Sequence, residues 1–310
     1  MIKYLTNLSP NVKGIGLAFL ATIGMANVYV FSKAALLEVN FFQFQFFWFA
    51  FALLWNGIYL WSTGLVRMIP RLEKRSLINL VILGFLELSA ATTMFLAIQL
   101  AENPAIVSFL SNATPIFVTL FGIRFLGERF NTIEAIGILL TIGGVVMITY
   151  TRNMTLEQFF SEGSGWILVS SLFLSISTVF AKKNIKKLHP SILTINRVVY
   201  LFMFGLIAVL IRQDSLAVPG SAIFNMIAGS ILGPFLTGLS MYSALKFIEA
   251  SRTMIIQSTR GLFVLIGSMI YLAILPTPLQ LIGGVITILG VVILVLGKMR
   301  FKSKKEAESS

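Results

Sequence analysis

The chain has 310 residues, of which 57% are hydrophobic and only 12% charged, and its mean hydropathy is +0.90. An average soluble domain carries about 25% charged residues, and a globular core of this length cannot bury so much apolar surface. The composition therefore excludes a pair of soluble domains and predicts that most of the chain lies in lipid.

The net charge of +12 could indicate a nucleic-acid partner. In a membrane protein it is better explained by cytoplasmic loops that face anionic lipid, so we expect a lipid bilayer and no nucleic acid as partner. The chain has no cysteine and a single histidine, His189, which excludes disulfides and thiolate metal sites. We expect neither a metal nor a cofactor.

A membrane-spanning helix needs about 20 mostly apolar residues. Taken in chain order, such runs predict an all-α integral membrane protein with ten transmembrane helices, near residues 14–35, 40–62, 77–99, 104–126, 133–150, 163–181, 190–211, 222–246, 251–275 and 278–297. The connections between them are too short to fold as domains.

The basic residues predict the orientation. With ten spans both termini lie on one side, and the loops on that side carry 19 Lys and Arg, against 3 on the opposite side. The positive-inside rule then places both termini in the cytoplasm, in a cell (inner) membrane.

The second half of the sequence repeats the first. Val28–Lys33 matches Ser177–Lys182 at an offset of 149, and Gly137–Val146 matches Gly283–Val292 at 146. We predict a first repeat over residues 1–152, a second over 153–298 and a basic cytoplasmic tail over 299–310. Since each repeat holds five spans, the two are inverted, which is typical of transporters that work by alternating access.

Residues Pro104–Phe130, followed by a glycine-rich span over Ile136–Ile148, resemble the EamA family of the drug/metabolite transporter superfamily. In that family the fourth helix carries a mid-span proline and ends in a Leu-Gly-Glu-Arg turn, here Leu126–Arg129. The resemblance implies a central cavity lined by helices three, four, eight and nine, with contributions from one, two, six and seven. Gly261 stands where the second repeat would carry the proline, and Trp48 where members often carry arginine.

Three ionisable residues fall inside predicted spans: Glu87, Arg197 and Arg260. A charge near the bilayer centre costs about 2.5–3.5 kcal/mol even on the translocon scale, so these side chains should face protein or a wet cavity. A pair between Glu87 and Arg260 is compatible both with proton coupling and with a purely structural role.

A stripe of polar side chains lies at the same depth. Together with the three ionisable residues, the predicted substrate cavity comprises Thr93, Ser108, Asn112, Thr237, Ser240, Tyr242 and Gln257. Three further residues are predicted to have gating or structural roles: Pro115, Glu128 and Gly261.

The helix faces formed by Gly137, Thr141 and Gly144 and by Gly283, Thr287 and Gly290 carry only small residues. Such faces allow close helix packing, and a homodimer through them is possible. Lys33 and Lys182 occupy equivalent helix ends, where snorkelling to the interface is the expected behaviour.

The sequence contains no phosphate-binding loop, zinc-protease motif or nucleophile elbow, so an enzyme is not expected. We predict a secondary transporter that moves a small polar or amphiphilic, amino-acid-like metabolite by alternating access, in export or exchange. The alternative is a membrane scaffold or receptor that retains the transporter fold without transporting.

Overall fold

The computed structural model describes residues 9–100, 107, 110–149, 162–263 and 277–307. Within these residues the chain is helical and contains no strand. We number the helices α1 (Pro10–Leu36), α2 (Phe41–Ser62), α3 (Lys74–Leu100), α4 (Ala113–Leu126), α5 (Thr132–Thr149), α6 (Glu162–Asn184), α7 (Pro190–Arg212), α8 (Gly220–Phe247), α9 (Ala250–Ser258) and α10 (Pro278–Ala307).

Seven of these helices are long and apolar enough to cross a membrane: α1, α2, α3, α6, α7, α8 and α10. Helices α4 and α5 are shorter apolar helices, and the predicted ninth span continues from α9 into residues 264–276, outside the described residues. The bounds of the seven long helices agree with the predicted spans to within a few residues, except that α10 runs on to Ala307. The all-helical membrane fold is confirmed.

The surface and the interior have the polarity expected in lipid. Large apolar side chains point outward along the helices, including Val30, Leu139 and Leu210, which are 60%, 71% and 67% exposed. The interior instead holds buried polar groups such as Glu87, Gln45 and Thr178. A soluble protein would bury the first group and expose the second.

Helices of the first half pack mainly on helices of the second half. The most extensive contacts join α5 with α10, α1 with α8, α3 with α6 and α2 with α7. Helices α4 and α9 also contact each other, and they contact α6 and α1 respectively. The resulting bundle surrounds a central space near α4 and α9.

The pairing of α5 with α10 depends on the two small-residue faces. A Cβ atom at Gly137 would lie 2.8 Å from the carbonyl oxygen of Gly290, and one at Gly144 would lie 2.6 Å from that of Gly283. The two faces therefore pack against each other within one chain. The predicted homodimer through these faces is wrong, because each face is already covered by the other.

Lys33 and Lys182 do not snorkel to the interface. The Lys33 ammonium donates to the carbonyl of Ile98 at 3.1 Å, near the carboxyl end of α3. The Lys182 ammonium donates to the carbonyls of Leu245 and Ile248 at 2.6 and 2.7 Å, at the end of α8. Each lysine thus satisfies carbonyl groups that a helix end leaves without an intrahelical partner.

Candidate functional site

A partly open cavity lies inside the bundle. Helices α1, α3, α4, α6, α7, α8 and α9 contribute to its wall, so both halves of the chain form it. Its polar lining comprises Tyr29, Ser111, Thr114, Ser170, Ser171, Arg197, Thr237, Gln257 and Arg260. Its apolar lining includes four methionines: Met25, Met94, Met241 and Met254.

The helical geometry is interrupted on both sides of the cavity. A turn at Ser111 and Asn112 precedes α4, and a turn at Thr259 separates α9 from the helical residues after it. Pro115 lies in the first turn of α4, where a missing N–H costs little. Because interrupted helices at membrane depth are tolerated beside protein or a wet cavity, both turns are consistent with a site at this level.

Arg260 is the most unusual residue of the cavity wall. It is only 6% exposed, its guanidinium donates a hydrogen bond to the Ser111 hydroxyl, and it lies 5.8 Å from the centre of the Tyr29 ring. Its Nε is buried without a hydrogen-bond partner. Among the described residues no carboxylate pairs with Arg260.

Glu87 pairs with Arg197 and not with Arg260. The Arg197 Nε lies 3.2 Å from the Glu87 Oε2, although the two are not aligned as a hydrogen bond. The other carboxylate oxygen accepts hydrogen bonds from the hydroxyls of Ser177 and Tyr242, the latter at 2.8 Å. The expected Glu87–Arg260 pair is therefore wrong. Arg197 lines the cavity, whereas its partner Glu87 does not.

The remaining predicted cavity residues divide into three groups. Thr237 and Gln257 line the cavity, and the Nε2 of Gln257 is buried without a hydrogen-bond partner. The predicted residues that do not line it are Glu87, Thr93, Asn112, Ser240 and Tyr242. Ser108 lies outside the described residues.

The reasons differ among the residues that do not line the cavity. The Thr93 hydroxyl donates to the backbone carbonyl of Ser89 at 2.6 Å, which is the ordinary role of threonine in a membrane helix. The Tyr242 hydroxyl instead donates its hydrogen bond to the carboxylate of Glu87. Asn112 is 7% exposed, has an amide nitrogen that lacks a partner, and is not among the residues that line the cavity.

Glu128 joins the end of α4 to the start of α9. Its carboxylate accepts hydrogen bonds from the backbone N–H groups of Ala250 and Ser251, at 2.8 and 3.2 Å, and from the Ser251 hydroxyl. Gly127 makes this possible because it adopts a left-handed conformation, with φ of 65°. A carboxylate at the N-terminus of a helix accepts hydrogen bonds from the N–H groups that have no intrahelical partner, and its negative charge interacts favourably with the helix dipole.

Neighbouring charges extend this connection. Arg252 of α9 pairs with Glu134 of α5 and with Glu249. Gly261 is buried in the helical residues after Thr259.

Sequence reasoning missed several residues of the site. Ser111 and Tyr29 contact Arg260 and Ser177 contacts Glu87, but an isolated serine or tyrosine in a membrane helix gives no signal of its own. Ser170 and Ser171 of α6 line the cavity, and the Ser171 hydroxyl is buried without a partner. The described residues contain no cluster of histidine and carboxylate side chains that could hold a metal.

These features define a multi-pass helical membrane protein with a polar internal cavity, the class to which many transporters belong. The family model of the EamA-like transporter family matches residues 12–150 and again residues 161–296. The chain belongs to this family, as the resemblance at Leu126–Arg129 implied, and the family points to a membrane transporter.

Two further similarities agree with this assignment. The chain is 27% identical over 197 residues to an uncharacterized transporter of Archaeoglobus fulgidus, and the match covers 62% of this chain and 68% of that protein. A solved structure described only as "Crystal structure of protein" superposes with a TM-score of 0.76, at 14% identity, over 91% of this chain and 96% of the other. At that identity the second similarity shows the fold alone.

Proposed function

We propose that this protein is a secondary transporter that carries a small polar or amphiphilic metabolite across the cell membrane by alternating access, in export or exchange. The observation that carries the proposal is the central cavity, whose wall combines residues of both halves with buried polar groups that lack partners. Unpaired polar groups in a membrane interior are costly, so their retention around a cavity favours a ligand.

Alternating access requires two halves that can exchange conformations, and we propose ten spans arranged as two inverted repeats of five. The packing pattern supports this arrangement. In two such repeats α1 corresponds to α6, and α3 corresponds to α8, so the contact of α1 with α8 is equivalent to the contact of α6 with α3. The contacts of α2 with α7 and of α5 with α10 each join two equivalent helices.

Side-chain contacts support the same symmetry. Lys33 binds the carbonyl of Ile98, and Lys182 binds that of Leu245; the lysines are 149 residues apart and the carbonyls 147. The two separate matches to the family model also support a division near residues 150–161.

Transport is tested with purified protein in liposomes loaded with a broad panel of labelled metabolites. We expect uptake or counterflow of at least one compound that protein-free liposomes do not show. A bulky substitution at Ala90 of α3, which also lines the cavity, should reduce this flux, and Ala90→Trp is the variant of choice. Because no flux for any compound would favour a scaffold or receptor, that result would overturn the proposal.

The orientation is tested separately, by a reporter that is active only in the cytoplasm. We propose that both termini are cytoplasmic, so the reporter should be active when fused after Ser310 and silent when inserted near Thr155. The opposite pattern would contradict the topology and, with it, the inverted repeat.

A further inference from the structure

The charges at the cavity do not balance. Arg197 and Arg260 both line it. Within the described residues, the one carboxylate that pairs with either is Glu87, which does not itself line the cavity and pairs with Arg197. Within the described part of the chain, no acidic side chain lines the cavity. The described part of the cavity wall therefore carries a net positive charge, located at Arg260.

The polar atoms left without partners are mostly hydrogen-bond donors. They include the Nε of Arg260 and the Nε2 of Gln257, one helical turn away, and the hydroxyl of Ser171 on α6 also lacks a partner. Guanidinium and amide N–H groups donate hydrogen bonds and do not accept them, so they bind the lone pairs of an anionic oxygen and do not bind a cation.

The rest of the wall is apolar and adaptable. Met25, Met94, Met241 and Met254 surround the polar groups, and Tyr29 lies beside Arg260. Methionine side chains fill irregular space and make favourable contacts with aromatic rings. An apolar or aromatic body would be accommodated here, whereas a sugar or an inorganic ion would leave the thioethers without contacts.

From these observations we infer that the substrate is a small amphiphilic organic anion, whose carboxylate is bound by Arg260 and Gln257 and whose apolar body lies among the four methionines. This inference rests on the proposed transport function and narrows its substrate class. It also differs from a zwitterionic amino acid, because no acidic side chain of the described cavity wall is available for an ammonium group.

The binding test uses four probes that share one apolar body: phenylpropanoate, phenylpropanol, phenylpropylamine and phenylalanine. Binding is followed by thermal stabilisation of the purified protein in detergent. We expect phenylpropanoate to bind most tightly and phenylpropylamine not at all. An equal response to phenylpropanol, a stronger response to phenylalanine or the amine, or no response to phenylpropanoate would overturn the inference.

The residue assignment is tested with substitutions in the cavity. Arg260→Gln should weaken phenylpropanoate binding about tenfold to a hundredfold, the loss expected for charge-assisted hydrogen bonds. Arg260→Lys, which keeps the charge, should retain part of the affinity. Arg212→Gln is the matched control, since it removes an exposed arginine at the end of α7 and should leave the affinity unchanged.

Gln257→Glu provides a second test if Arg260→Gln fails to fold. The new carboxylate would face Arg260, so anion binding should be lost while phenylpropylamine or phenylalanine binding is gained. Unchanged phenylpropanoate affinity in Gln257→Glu would overturn the assignment. Flux of neutral probes without anion selectivity would contradict this inference alone, and tight anion binding without flux in liposomes would contradict transport alone.

Discussion

The hydroxyl of Tyr242 on α8 donates a hydrogen bond of 2.8 Å to the Oε1 of Glu87 on α3, and both residues are completely buried. The same oxygen accepts from Ser177 of α6, and Arg197 of α7 approaches the other oxygen. One carboxylate thus connects four helices behind the cavity wall.

Tyr242→Phe should destabilise the protein without abolishing folding. The change removes one donor from a charged acceptor, which costs about 1.5–3 kcal/mol, while Ser177 and Arg197 still bind Glu87. Thermal unfolding in detergent measures the loss. The matched control is Tyr59→Phe on α2, whose hydroxyl has no hydrogen bond among the described residues and which should unfold like the wild type; equal stability of the two variants would contradict the prediction.

Glu87→Gln tests the ion pair with Arg197. Breaking a buried pair costs about 3–5 kcal/mol, and the cost should be smaller here because the Arg197 side chain is 16% exposed at the cavity. The double variant Glu87→Gln, Arg197→Gln should be less destabilised than the sum of the single variants, with a coupling of about 0.5–3 kcal/mol. Additive losses in unfolding measurements would show that the two side chains are not coupled.

The same variant tests proton coupling. If transport is coupled to protons, we expect Glu87 to carry them, because within the described chain it is the carboxylate buried mid-helix beside the cavity. Glutamine keeps the shape of the side chain but cannot carry a proton, so coupling predicts that pH-driven accumulation is lost while substrate exchange continues, whereas a purely structural pair predicts poor folding. Transport with unchanged pH dependence would rule out Glu87 as the carrier.

Substitutions at adjacent glycines of α5 should have opposite outcomes. Gly144→Leu should weaken the packing of α5 on α10, because a Cβ atom there would lie 2.6 Å from the backbone nitrogen of Thr287. Gly143→Leu should be tolerated, since nothing lies within 4 Å of its Cβ position. Overpacking costs about 1–3 kcal/mol, so a lower unfolding temperature is expected for Gly144→Leu alone.

His189 should make the stability of the protein depend weakly on pH. Its Nδ1 accepts a hydrogen bond of 3.3 Å from the backbone N–H of Ser191 at the start of α7, which requires a neutral ring. Partial burial, with a smaller contribution from Lys246, lowers the pKa of His189 below its ordinary value. The unfolded chain therefore takes up the proton more readily than the folded one.

The stabilisation is thus present above the ordinary pKa of about 6.5 and is lost as the pH falls below it. Because the ring is partly exposed, the effect should stay below about 1 kcal/mol. His189→Asn keeps a capping side chain without titrating in this range. Its unfolding temperature should fall less than that of the wild type between neutral and mildly acidic pH, and identical pH profiles would contradict the assignment.

The helices were predictable because runs of about 20 apolar residues mark them independently of tertiary structure. The partners of the buried charges were not. Depth along a helix placed Glu87 level with Arg260, but it does not give the direction in which a side chain points, and the flexible stem of Arg197 reaches Glu87 from a shallower position.

The small-residue faces illustrate the same limit. Gly137 and Gly144 indicate that some helix comes close, and only the structure identifies it as α10 of the same chain. Arg260 and Gln257 were predictable cavity residues because a cation and an amide at membrane depth are costly unless they face protein or a wet cavity. Ser111 and Ser171 become informative only once a cavity is seen beside them.

Every first-half helix packs on a helix of the second half, so these contacts can form only after the second half has been synthesised. Among the described residues, the partners of Glu87 lie between residues 177 and 242, and Tyr242 follows Glu87 by 155 positions. At about 5–20 residues per second, ribosomal synthesis leaves that carboxylate without Tyr242 for roughly 8 to 30 seconds after it emerges. The first five helices should therefore remain a loosely packed, insertion-stage intermediate, exposed to membrane proteases and dependent on insertion chaperones until the last helices arrive.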